Sequence, residues 1–186
     1  MGKEPVSVID SIKKKYSTAI ISGTKCYDDG KCILYLDNCK NNIILKGEDV
    51  RDIEDDSRNH SEQDKVCDCL IIITKVVKKE AKIEGKITEE HIITHLVLVE
   101  IDDGENKKSS HAREQLIGGA KLAKKIIHTR CNYIDVNYNV EYIFLHKHMR
   151  NPEFKVFKKR NGKINKKDIQ IGKCGYKYKC TDPLPH

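Results

Sequence analysis

A mixed α/β (α+β) fold, with a central sheet built around one long β-hairpin and flanked by helices, follows from three features of the chain. Two dense Ile/Val/Leu runs, at 66–77 and 87–101, flank Ile83-Glu84-Gly85-Lys86-Ile87, a turn with glycine near its centre. Apolar residues at helical spacing lie on both sides of this pair, near Ile9 and again near Leu116. The 186 residues are the length of one compact domain. We read 1–150 as the core, and 151–186 as a basic extension packed on the same domain.

Pro5 suits the first turn of a helix in which Ile9, Ile12, Tyr16, Ala19 and Ile20 form the apolar stripe and Lys13, Lys14 and Lys15 face outward. Cys32–Asp37 and Asn42–Lys46 are short β-rich runs joined by Asp37, Asn38, Asn41 and Asn42, and they read as a hairpin. Residues 47–64 are acidic and without a period, which predicts a loop over the sheet.

The long hairpin can be tested by arithmetic, because residues opposite one another in an antiparallel pair have a constant sum. A loop of 83–85 gives 168 and sets Asp68 opposite Glu100. A loop of 84–86 gives 170, with Asp68 opposite Asp102. A two-residue turn gives 169 and needs a bulge to gather the same carboxylates on one face. All three bring the acidic strand ends together.

Beyond Gly104, Ser109 or Ser110 can cap a helix whose buried stripe is Ala112, Leu116, Ala120, Ala123 and Ile127. Gly118 and Gly119 inside it are unfavourable for a helix and imply close packing on the sheet. A strand at 142–145 follows. The tail then reads as a basic hairpin, 155–160 and 169–171, turning at Asn161-Gly162.

From Asn151 onward ten Lys and Arg face three Asp and Glu, which accounts for the whole net charge of +7. A basic end on a neutral body suits phosphate backbones, with Lys158, Lys159, Arg160, Lys163, Lys166 and Lys167 as the tracking residues and Tyr176 and Tyr178 available for base stacking. No apolar stretch approaches a membrane span, and the N-terminus has no signal-peptide h-region, so the expectation is a cytoplasmic protein with no membrane partner. The eight cysteines include no CxxC pair and read as buried thiols. A tetrathiolate site from Cys26, Cys32, Cys174 and Cys180 is the weaker alternative. His91, His95, His111, His128, His146 and His148 match no zincin spacing and read as surface or rim residues. P-loop and GxSxG motifs are absent.

Glu100, Ile101 and Asp102 close the apolar run 96–99, and Asp68 heads the other. Carboxylates at the ends of buried strands are costly unless something positive meets them. A hard divalent cation is the economical candidate, since Mg²⁺ needs only one or two carboxylates plus water and a phosphate.

Cys67-Asp68-Cys69-Leu70-Ile71-Ile72, Val97-Leu98-Val99-Glu100-Ile101-Asp102 and Ala112-Arg113-Glu114-Gln115-Leu116, taken in this order, resemble the signatures of the PD-(D/E)XK nuclease superfamily. The resemblance spans 6–145 and implies a restriction-endonuclease-like core acting on DNA. It assigns Mg²⁺ (or Mn²⁺) to Asp68, Glu100 and the Ile101 carbonyl, and a supporting role to Gln115. Where the pattern has lysine, two residues after the glutamate, this chain has Asp102. Three outcomes follow: Asp102 is a further ligand, a lysine such as Lys121 or Lys65 reaches in, or catalysis is lost and a nucleic-acid- or protein-binding module remains. Homodimerisation through exposed sheet edges fits the same picture.

Overall fold

A computed structural model describes residues 8–28, 32–55, 65–79, 89–102, 109–130, 136–147, 151–160 and 162–180. The order is α1 (Val8–Lys15), a 3-10 turn (Ser17–Ala19), β1 (Lys25–Asp28), β2 (Cys32–Asp37), β3 (Asn42–Lys46) and α2 (Gly47–Asp55). There follow β4 (Cys69–Lys79), β5 (Glu89–Asp102), α3 (Ser109–Arg130), β6 (Val136–His146), α4 (Asn151–Arg160), β7 (Lys163–Ile164), β8 (Lys167–Lys173) and β9 (Tyr176–Lys179).

Six strands form the main sheet in the order β3-β4-β5-β6-β8-β7. β3, β4 and β5 alternate in direction, and β6 and β8 then run parallel to β5. Parallel neighbours need a crossover, and α3 and α4 supply the two. β1-β2-β9 is a second, smaller sheet in which β2 and β9 are parallel.

Alternation along each strand divides the core into two clusters. Leu70, Ile72, Leu96, Leu98, Tyr142 and Phe144 pack with α1, α3 and Phe157 of α4. Ile71, Ile73, Val97, Val99, Ile101, Ile143 and Leu145 pack with Leu34, Leu36 and Tyr178 of the small sheet. The result is three layers: helices, main sheet, small sheet.

Several expectations give way to this arrangement. Residues 32–37 and 42–46 are strands, yet they do not form a hairpin with each other: β2 pairs with β1 and β9, and β3 with β4. Asn38 and Asn41 adopt left-handed φ of 56° and 50°, which asparagine tolerates, and they turn the chain from one sheet into the other. Residues 47–55 are a helix rather than a loop. Val50 and Glu54, four apart, are buried, and Glu48 and Asp49 complement the helix N-terminus.

Residues 151–160 are likewise helical, not the first arm of a hairpin. A strand would have set Lys155 and Lys159 on the same face as the buried Phe157, whereas a helix leaves both exposed while Phe157 stacks on Phe144 at 5.2 Å. β7 and β8 form the short hairpin of the tail, and β8 joins the main sheet beside β6.

Six cysteines pair as Cys26–Cys69, Cys32–Cys174 and Cys39–Cys180, which overturns the thiol reading and the tetrathiolate alternative for them. The partners are 43, 142 and 141 residues apart: the stacking of the two sheets brings Cys26 to Cys69, and the pairing of β2 with β9 brings the other two pairs together. Cys67 is free and buried. Cys131 and the turns at 83–87 and Asn161 lie outside the described residues.

Candidate functional site

The β4–β5 ladder pairs Cys69 with Val99 and Lys79 with Glu89, so its sum is 168. One step beyond the last pair, Asp68 is level with Glu100. Here the chain bends out of the strand, and the Asp68 carboxylate takes over from the ladder: its Oδ2 accepts the Ile101 N–H at 2.6 Å. The carbonyl of Asp68 accepts the Gly47 N–H at 2.9 Å, so both ends of the residue are anchored. Glu100 alternates with Val99 and Ile101 and therefore lies on the α3 face of the sheet, with no exposure to solvent. Asp102, on the same face, is half-buried.

The approach of α3 depends on its two glycines. A Cβ on Gly118 would overlap the Lys65 carbonyl oxygen, and one on Gly119 would overlap Cys67 Sγ and press on Leu98 at 2.9 Å. The helix therefore lies directly against the segment that leads into Asp68. Cys67, held there, reports the local field: burial pushes its thiol pKa well up, and the negative charges of Glu100 and Asp68 push it further.

The remaining expected residues are distributed less tightly. Gln115 is half-buried, three and four positions before Gly118 and Gly119, and so belongs to the helix face turned toward residues 65–67. Lys65 is exposed and pairs with Glu114 at 3.0 Å. Lys121 is exposed and lines a cleft between α2 and α3 with Arg51, Glu54, Asp55, Val66 and Lys125.

In the tail, Lys158, Lys159, Lys163 and Lys166 are exposed, while the side chain of Arg160 lies outside the description. Lys163 approaches Asp168 at 3.6 Å, and Lys167 donates to Asn139 Oδ1 and the Val140 carbonyl, both at 3.0 Å. Tyr178 is not available for base stacking, being buried with its hydroxyl donating to Glu141 at 3.1 Å.

Two histidines were misplaced by sequence reasoning. His95 is fully buried, its Nε2 2.8 Å from Glu141 Oε1, and His146 is 7% exposed rather than a rim residue. The parallel register sets His146 beside Asp102, and the Lys147 N–H donates to the Asp102 carbonyl at 3.1 Å. An HxH pair at a strand end was the available signal for His146, but only the register of β5 with β6 gives it a neighbour.

Among the described residues, no group of three or more His, Cys, Asp or Glu is placed to hold a metal ion. The donors that the register sets level at the strand ends are hard oxygens, the carboxylates of Asp68 and Glu100, whose negative charges both act on Cys67. That set fits Mg²⁺ or Mn²⁺ completed by water and phosphate, which asks for few protein ligands. No family model, curated protein or solved structure matches the chain. No helix among the described residues is long and apolar enough to cross a membrane.

Proposed function

We propose that the chain is a metal-dependent nuclease-like protein acting on DNA, built on a restriction-endonuclease-like core. The reading is carried by the Asp68 Oδ2–Ile101 N hydrogen bond, which locks together the two strand ends that the superfamily resemblance marks as acidic. It is supported by the order of elements: a helix, an antiparallel β3-β4-β5 set bearing Asp68 and Glu100, a crossover helix, and a parallel strand.

Asp68, Glu100 and the Ile101 carbonyl would hold Mg²⁺ or Mn²⁺. When bound, the ion neutralises charge at the phosphoryl group and makes its water a better nucleophile. Asp68 orients the strand end through Ile101, and the α3 packing excludes water from behind Glu100. Asp102 lies on the same face, toward solvent. The exposed Lys158, Lys159, Lys163 and Lys166 hold the nucleic-acid backbone.

The purified protein is expected to cut DNA in Mg²⁺ or Mn²⁺, and Glu100→Gln and Asp68→Asn to lower the rate by more than about 100-fold while preserving the circular dichroism spectrum. If single-stranded, double-stranded and branched DNA and RNA all remain intact, hydrolysis is not the activity. A second reading, a binding module that no longer cuts, is favoured by the aspartate at position 102 where the pattern has lysine. It predicts salt-sensitive DNA binding without cleavage in either metal.

A further inference from the structure

We propose that Lys173 and His146 form the phosphate-binding side of the acidic strand ends, with Lys173 supplying the cation missing from the position two residues after Glu100. The inference rests on the nuclease-like reading and names the groups that meet the substrate's phosphodiester.

β5, β6 and β8 run parallel, and their C-terminal residues fall in one row: Asp102 pairs with His146, and His146 with Lys173. The C-terminal ends of parallel strands are where open α/β sheets bind ligands. One row earlier stand Glu100, Phe144 and Ile171, of which Phe144 and Ile171 belong to the helix-side core. Registered residues point to the same face, so Asp102, His146 and Lys173 share the face of Glu100. Adjacent strands are about 4.8 Å apart, so Lys173 stands two strand spacings, about 10 Å, from Asp102. A lysine side chain and one phosphate group span that gap.

The register places Lys173 directly beside His146, and burial first, with the charge of Lys173 second, holds the pKa of His146 below its usual range. Lys173 is exposed whereas His146 is buried, an arrangement with the charge at the solvent side where substrate arrives. The imidazole packs 6.4 Å from the Phe144 ring, itself stacked on Phe157 of α4. In the register His146 stands between Asp102 and Lys173. Lys65 and Lys167 are each committed to partners elsewhere.

The test uses the oxidised 186-residue chain and a fluorescein-labelled DNA duplex followed by anisotropy over a salt series. Lys173→Gln is expected to weaken binding about tenfold and to reduce the salt slope by about one, the signature of one lost phosphate contact. Lys173→Arg restores both. His146→Asn weakens binding and leaves the slope unchanged. Lys13→Gln, on the exposed side of α1, changes neither. Wild-type affinity and slope in a folded Lys173→Gln variant overturn the phosphate site but leave the nuclease-like reading standing. Failure of the wild-type protein to bind or cut any nucleic acid overturns both.

Discussion

Glu54 is the residue at which burial and charge compete most directly. It is 7% exposed on α2, yet it accepts from Tyr16 at 2.7 Å, pairs with Lys125 at 2.9 Å and meets Lys15 as well. Burial alone would raise its pKa, but the bonds from Lys15, Tyr16 and Lys125 bring it down from 4.5 to about 2. A depressed carboxylate stabilises the fold above its unfolded pKa and loses that contribution as pH falls through the folded one. We therefore expect urea midpoints to drop between pH 4.5 and 2, and Glu54→Gln to flatten that part of the profile at a cost of about 2 kcal/mol at pH 7. Glu141 acts in the same sense on the other side of the sheet, its pKa lowered mainly by His95 and then by Tyr178 and Gln170. Hairpin arithmetic brought Asp68 and Glu100 to the same strand ends, and the observed ladder chose the register, with a sum of 168, that sets them level. His95 and His146 were not, because a histidine's burial depends on which strands cover it.

At the level of elements, the contact between α3 and residues 65–67 controls how the acidic ends are presented. Gly118 has no room for a methyl group because its neighbour is backbone, the Lys65 carbonyl, and backbone yields less easily than a side-chain tip. Gly118→Ala is expected to cost about 1–3 kcal/mol by overpacking, measured by chemical denaturation. The variant should also shift the amide resonance of Ile101, since Asp68 follows directly from the displaced segment. A control at the exposed Lys14, Lys14→Ala, should stay within about 0.5 kcal/mol. Glycine pairs are visible in sequence and imply close packing, but not against what. The tail illustrates the converse error: the run 155–160 before Asn161-Gly162 resembles a hairpin arm, whereas residues 151–160 are a helix that lays Phe157 on Phe144.

For the whole molecule, the small sheet is the part that cysteine chemistry holds. Cys32–Cys174 and Cys39–Cys180 join the two ends of β2 to the segments flanking β9, and Cys26–Cys69 fastens β1 to the strand that begins just after Asp68. Removing such a crosslink commonly costs about 2–5 kcal/mol. A reductant is therefore expected to lower Tm, and peptide mapping without reduction to recover these three pairs with Cys67 alkylated only after denaturation. Disulfides are rare in a reducing cytosol, so rapid alkylation in intact cells decides between the cytoplasmic expectation and the oxidised form. Mapping that finds other pairs would remove the account of how the sheets are joined.

By itself the sequence determined the local matters: a long antiparallel pair with carboxylates at the ends away from its turn, a glycine-bearing helix after it, and a basic tail. These follow from periodicity and from spacing across one turn, which operate over short stretches of chain. Tertiary structure alone decided that β6 and β8 run parallel to β5, that β2 and β3 belong to different sheets, and that cysteines more than 140 residues apart are bonded. Long-range pairing is set by which apolar faces cover one another, and many pairings satisfy the same pattern of residues. The acidic strand ends could thus be read from the chain, while the row that puts His146 and Lys173 beside them exists only in the folded sheet.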